Sequence, residues 1–226
     1  VGRGLTLTPT GLDLVEHVRA MGNAASRVSL TASGKSETME GTITIAASEI
    51  DSVFRLPPIL AKLRRAEPGI DIEVAVSNSV SDLRRREADI AIRSFRPTEP
   101  DLIGKKIMDV KIRLYATPDY LRSIGDPQTP EDTQGAEFIG FDRTGLVLKT
   151  FNSLKFDVSE KDFPIVTTNQ LLQWELVKQG AGIALLPEDI GDNEPRFTRA
   201  FAKLDPIIVL SMWLVCHREV NTSRRG

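Results

Sequence analysis

GTITIAASEIDSVFRLPPILAKLRRAEPGID, residues 41–71, carries three successive signals. Residues 42–47 are rich in β-branched side chains and favour a strand. Ser48 then offers an N-cap, with Asp51 and Ser52 as alternatives one turn later. From 53 to 66, the apolar residues Val53, Leu56, Ile59, Leu60 and Leu63 recur at helical spacing. Pro57 and Pro58 argue for an irregular first turn, because proline is tolerated early in a helix and not in its middle. Pro68-Gly69 ends the helix, and Ile70, Ile72, Val74 and Val76 alternate as the next strand. This is a βαβ unit.

The remainder can be laid around that unit. Residues 77–87 read as a polar turn and a short helix, with Arg84, Arg85 and Arg86 on a solvated face. A short strand at 88–92 ends in Arg93. Strands follow at 102–108 and 110–117, and a short helix at 118–124. The second half expects strands at 137–141, 163–168, 182–186, 197–201 and 207–217, with a helix at 169–179. Residues 145–158 read as a pair of strands or an irregular excursion. Alternating strands and helices predict a mainly parallel, doubly wound α/β sheet. Two such units of this size fit two Rossmann-like subdomains with a cleft between them.

Composition narrows the function. The 226 residues are 41% hydrophobic and 27% charged, with a net charge of −2, so nothing pulls the chain as a whole toward nucleic acid or an anionic membrane. No apolar run is long enough to span a bilayer. A single cysteine, Cys216, makes no internal disulfide, which fits the cytoplasm. Cys216 and His217 are adjacent on an expected strand and point to opposite faces, so no metal site is expected. Gly180-Ala181-Gly182 leads from helix into strand. That is the reverse of a dinucleotide loop, so a helix C-cap and tight turn are expected there and no cofactor is implied. No nucleophile-elbow signature supports catalysis.

The N-terminal stretch differs. Thr8 and Pro9 suit a helix entry. Leu14, Val18, Met21, Ala25, Val28 and Ala32 are spaced alternately four and three, a heptad seam that fits a dimerising helix, with packing on its own domain as the alternative. Arg3, Arg19, Arg27 and Lys35 are balanced by Asp13, Glu16, Glu37 and Glu40, so this region lacks the clustered basic face of a DNA reader. The polar stretch 31–40 reads as a hinge.

Candidate binding residues lie after strands, where helix N-termini offer unpaired N–H groups to a cleft. Ser48, Glu49 and Ile50 form one such end, and Thr168 and Asn169 another. Ser77, Asn78 and Arg93 are expected to rim the same crevice, with Phe141 as an apolar wall. Helix capping accounts equally for Ser48 and Asn169, and an ion pair with Glu49 for Arg93.

The 41–71 run, ADIAIR at 88–93, IRLYATPDYL at 112–121 and GAGIALLP at 180–187 together resemble the effector-binding domain of LysR-type transcriptional regulators. LTLTPTG at 5–11 resembles the end of the wing that precedes the linker helix in that family. The resemblance implies a linker helix and hinge over 1–40, a discontinuous first subdomain of 41–112 and 215–226, and a second of 113–214, in a periplasmic-binding-protein-like fold. It implies a cytoplasmic regulator and not an enzyme. Its partners would be a small-molecule effector in the interdomain cleft, a homodimer or homotetramer, and DNA held by an N-terminal domain outside this sequence. The nine candidate residues would contact the effector. Many effectors of the family are carboxylates, but Glu49 would repel an anion unless Arg93 neutralises it. A zwitterion, an amine or a sugar therefore remains open. The chain is expected to be a fragment at both ends. The alternatives are a solute-binding protein of a transport system, which predicts a secretion signal and no heptad seam, and a small α/β enzyme, which predicts perturbed titratable groups meeting in the cleft.

Overall fold

The 42–47 run is strand β1 (Gly41–Ala47). The computed structural model describes residues 41–78 and 88–217, together with scattered positions of an N-terminal helix between 8 and 25. The seam positions 28 and 32, the hinge at 31–40, the 81–87 helix and Arg84–Arg86 lie outside the described residues.

The single helix expected after β1 is two helices. Ser48 is the N-cap of α1 (Glu49–Phe54). The chain breaks at Arg55, and α2 (Leu56–Ala66) begins with proline in its first turn. Proline has no N–H to give the preceding turn but loses nothing at a helix start, so Pro57 and Pro58 open a new helix instead of distorting an old one. Strand β2 (Ile70–Val76) then pairs parallel with β1 along its whole length, from Gly41 opposite Ile70 to Ala47 opposite Val76. On the other side β1 pairs parallel with β3 (Ile90–Arg93).

The strands expected at 102–108 and 110–117 are one strand, β4 (Leu102–Ala116), with a register shift between Lys106 and Met108. A β-bulge of this kind bends a strand without ending it. Helix α3 (Pro118–Ser123) follows, capped by Thr117. Strand β5 (Phe138–Gly140) leads to a correction. Residues 146–153 form a helix, α4 (Leu146–Ser153), instead of strands or an irregular excursion. The Asp142 carboxylate accepts from the Thr144 amide and hydroxyl, and Gly145 sits at φ +76° before the helix opens. Phe151 on α4 is buried with Phe138, Phe156 and Phe201 in an aromatic core.

Strand β6 is only Ile165–Val166, and α5 (Gln170–Lys178) starts after the N-cap Asn169. As expected, Gly180 and Gly182 end the helix and turn the chain: the Gly180 and Ala181 amides donate to the Val177 and Leu176 carbonyls. A Cβ at Gly182, at φ +143°, would stand 2.8 Å from the Glu137 carbonyl oxygen. Then come β7 (Ile183–Pro187), α6 (Glu188–Gly191), a two-residue β8 (Thr198–Arg199) in place of the longer strand at 197–201, and β9 (Ile208–His217).

The strand order is β2-β1-β3-β9-β4-β7-β5-β6, with β8 on β4. The sheet is mixed, which corrects the mainly parallel expectation. Within each lobe the β1 and β5 neighbours run parallel, whereas β9 and β4 join the lobes by antiparallel pairing. A parallel pair needs a crossover on one face; an antiparallel pair lets the chain pass between lobes and return without one. The boundaries expected at 112/113 and 214/215 fall inside these two joining strands. No described helix is long and apolar enough to cross a membrane.

Candidate functional site: the facing helix ends between the lobes

Register fixes the first rim. Ala47 lies opposite Val76, and the Ser77 amide donates to the Ala47 carbonyl. Ala46 lies opposite Ala91, which puts Arg93 beside Ser48 at the same carboxyl edge. In an open α/β sheet this is the edge that binds ligands. Across the gap, the Thr167 amide donates to the Gly140 carbonyl, so Phe141 and 167–169 follow the ends of β5 and β6.

The two helix ends meet there. The Glu49 carboxylate crosses to the start of α5. One oxygen accepts from the Gln170 amide at 2.7 Å, and the other from the Asn169 side-chain amide at 3.1 Å. The arrangement is reciprocal, because the Ile50 amide donates to the Gln170 side-chain oxygen at 3.3 Å. Asn78 ties both ends: its oxygen accepts from the Glu49 amide at 3.2 Å, and its NH2 donates to the Thr168 carbonyl at 3.1 Å. A carboxylate at a helix N-terminus meets unsatisfied N–H groups and the positive dipole end together, so this contact is charge-assisted.

Of the nine residues expected here, Glu49, Ile50, Asn78, Thr168 and Asn169 thus join one hydrogen-bonded cluster. Ile50 does so through its backbone. Its side chain is buried with Ile139, Trp174 and Leu186 of the opposite lobe. Ser48 stands at the rim but turns its hydroxyl onto Asp51, donating to the carboxylate at 2.7 Å and accepting from the amide at 3.2 Å. Asn169 likewise caps its own helix through Leu172 at 2.7 Å. Arg93 is 5% exposed and donates to the Ile92 carbonyl, Ser77 begins the turn after β2, and Phe141 is half-buried after β5.

Three contributors were missed in the sequence. Gln170 is the first helical residue of α5, one step beyond the cap. Gln173 is buried and donates from one amide nitrogen to the Gly140 and Thr167 carbonyls, both at 3.0 Å, pinning the ends of β5 and β6. A glutamine sharing the buried face of the helix with Trp174 and Val177 was the available signal. Arg55 bridges the lobes through two bonds to Asp189, at 3.0 and 2.6 Å, and also pairs with Asp51. Burial opposes its charge, yet the bond to Asp189 and the charges of Asp51 and Asp189 hold its pKa above the ordinary arginine value. The partners are far apart in sequence and no local pattern announces them.

An apolar contact backs this polar seam. Phe54 of α1 lies 4.5 Å from Trp174 of α5, ring centre to ring centre, and Phe197 packs on the far side at 4.6 Å. Separately, an open hollow of about 490 Å³ lies beside α4, bounded by Gly140, Asp142, Arg143, Phe163 and Val166. It is lined by none of the nine expected residues.

The N-terminal helix is the other element that the sequence singles out. The Gly11 amide donates to the Thr8 hydroxyl at 3.1 Å, which is the expected cap. Leu14, Val18 and Met21 are 57%, 61% and 71% exposed on this helix.

The family model described as LysR substrate binding domain matches residues 36–225. Over 163 residues the chain is 26% identical to the HTH-type transcriptional regulator CrgA of Neisseria meningitidis serogroup B, covering 70% of this chain and 53% of that protein. It is 27% identical over 153 residues to the HTH-type transcriptional regulator PtxR of Pseudomonas aeruginosa, covering 65% and 48%. The chain therefore spans about half the length of these relatives. Among solved structures, the regulatory domain of CrgA, a LysR-type transcriptional regulator from Neisseria meningitidis, superposes with a TM-score of 0.73 at 22% identity, over 83% of this chain and 94% of that one. The full-length Vibrio cholerae virulence activator AphB superposes at 0.66 and 18% identity, over 100% and 78%. These likenesses fix the two-lobed α/β fold, and the family match over most of the sequence makes this chain a member of the LysR substrate binding domain family.

Proposed function

We propose that this chain is the effector-sensing part of a LysR-type transcriptional regulator. A small molecule binds between the lobes, and the change reaches DNA-binding segments outside this sequence through paired N-terminal helices. The observation that carries the proposal is the hydrogen-bonded meeting of two helix N-termini across the lobes, at Glu49 and Gln170. Such a junction has two arrangements, and a ligand that prefers one shifts the population by no more than its differential affinity. The curated relatives are transcriptional regulators, and we place this chain with them and not with enzymes. A protein acting on DNA in this way works in the cytoplasm.

A thermal-shift screen against metabolites tests the effector cleft. A ligand at one hundred times its Kd raises stability by about 2.7 kcal/mol. The expected result is a shift that Asn169→Ala and Asn78→Ala each reduce, since both side chains border the junction. A shift retained in full by both variants would put the ligand elsewhere.

The exposed Leu14, Val18 and Met21 support pairing with a second copy. Sedimentation of the wild-type chain is expected to show a dimer or tetramer. Val18→Glu in that seam is expected to drive it to monomer, since a charge at a coiled-coil core position loses both packing and solvation. A wild-type chain that stays monomeric at high concentration would count against helix pairing.

A further inference from the structure

We propose that Glu49 is itself the resident ligand of the anion site between the lobes, so that the chain fills with its own carboxylate the place a small carboxylate would otherwise take. The inference rests on the effector-cleft proposal for its regulatory meaning only. Its geometry stands on the hydrogen bonds already described. The α5 N-terminus presents two donors to Glu49, the Gln170 amide at 2.7 Å and the Asn169 NH2 at 3.1 Å. Facing it, the first amides of α1 are also taken: Glu49 by Asn78, Ile50 by Gln170, and Asp51 by Ser48. Every one of these donors is thus satisfied by the protein. A free carboxylate entering here finds none of these donors unpaired and must expel a tethered competitor. A tethered group competes at an effective concentration that a dilute ligand does not reach.

Two consequences follow. Glu49 becomes a specificity determinant that discriminates against simple carboxylates. The contact between the two helix ends also needs no bound anion, because the charge at it is covalently supplied.

The test uses chemical rescue. Replacing Glu49 by alanine removes a CH2 and a carboxylate, which is nearly the volume and charge of acetate. Wild type, Glu49→Ala and Glu49→Gln, each in a Trp213→Phe background so that Trp174 is the one tryptophan, are melted in sodium acetate and in sodium chloride at matched ionic strength and pH, and the emission of Trp174, tilted against Phe54 of the other lobe, is followed. In chloride, Glu49→Ala is expected to melt about 2–6 °C below wild type. Acetate is expected to restore at least half of that loss and the wild-type emission, because it binds only the folded form. Wild type is expected to melt alike in both salts. Glu49→Gln keeps the space filled and is expected to gain nothing from acetate. Glu49→Ser leaves nearly the same vacancy and carries the test if the alanine variant does not fold. An acetate effect absent from the vacated variant, or equally large in wild type, overturns the proposal. Either outcome is independent of whether the metabolite screen finds an effector.

Discussion

Replacing Trp174 by alanine is expected to destabilise the folded chain by about 3–5 kcal/mol, the range for removing a large buried aromatic side chain. Trp174 is 3% exposed and has few ways to be compensated. Phe54 comes from α1 in the first lobe, whereas Phe197 belongs to the second, and the indole lies between them. Lys178 sits 5.3 Å from its ring centre and loses a cation–π contact as well. The void therefore opens at the interlobe contact, where Ile50 is buried in the same cluster. Urea unfolding gives the size of the effect, and Trp174→Phe is expected to recover most of it. A loss below about 1 kcal/mol, the level of an ordinary point substitution, would mean that the lobes do not pack this way in solution.

Phe138→Ala is expected to cost as much while leaving that contact untouched. Phe138 is 1% exposed, and its ring lies 5.1 Å from Phe151, 5.5 Å from Phe163 and 6.3 Å from Phe156. These rings meet edge-on or tilted, arrangements that add to the burial itself. The cavity would form on the α4 side of the sheet, whereas Trp174 and Ile50 pack in the cluster with Ile139. Successive residues of a strand point to opposite faces, so Phe138 and Ile139 divide the two cores between them. The variant is expected to lose about 3–5 kcal/mol in urea unfolding and still to show the ligand-dependent thermal shift. Trp174→Ala is expected to lose both. Loss of the ligand response in Phe138→Ala would show that the two cores are not independent.

The opening βαβ unit was legible because its signals are local: β-branched runs, a serine cap and apolar spacing. The two caps, Ser48 and Asn169, were legible for the same reason, since a cap after a strand is written within a few residues. What failed was non-local. The bulge that merges 102–108 with 110–117 exists because β9 pairs across both segments. Helix α4 was missed because it is short and its opening turn, Asp142 to Thr144 with Gly145, carries no strong helix cap. Gln170 and Arg55 were missed because their partners sit on the other lobe.

The antiparallel join between the lobes has one more implication. Residues 108–111 of β4 pair only with β9, because β3 ends at Arg93, opposite Trp213, and β7 ends at Pro187, opposite Ile112. The sheet thus narrows there to a ribbon two strands wide, with the register shift at one end. Ribbons of two strands carry a larger twist than wide sheets. The lobes are therefore joined within the sheet by a coiled, hydrogen-bonded neck, like a wound spring, and not by a loose hinge loop.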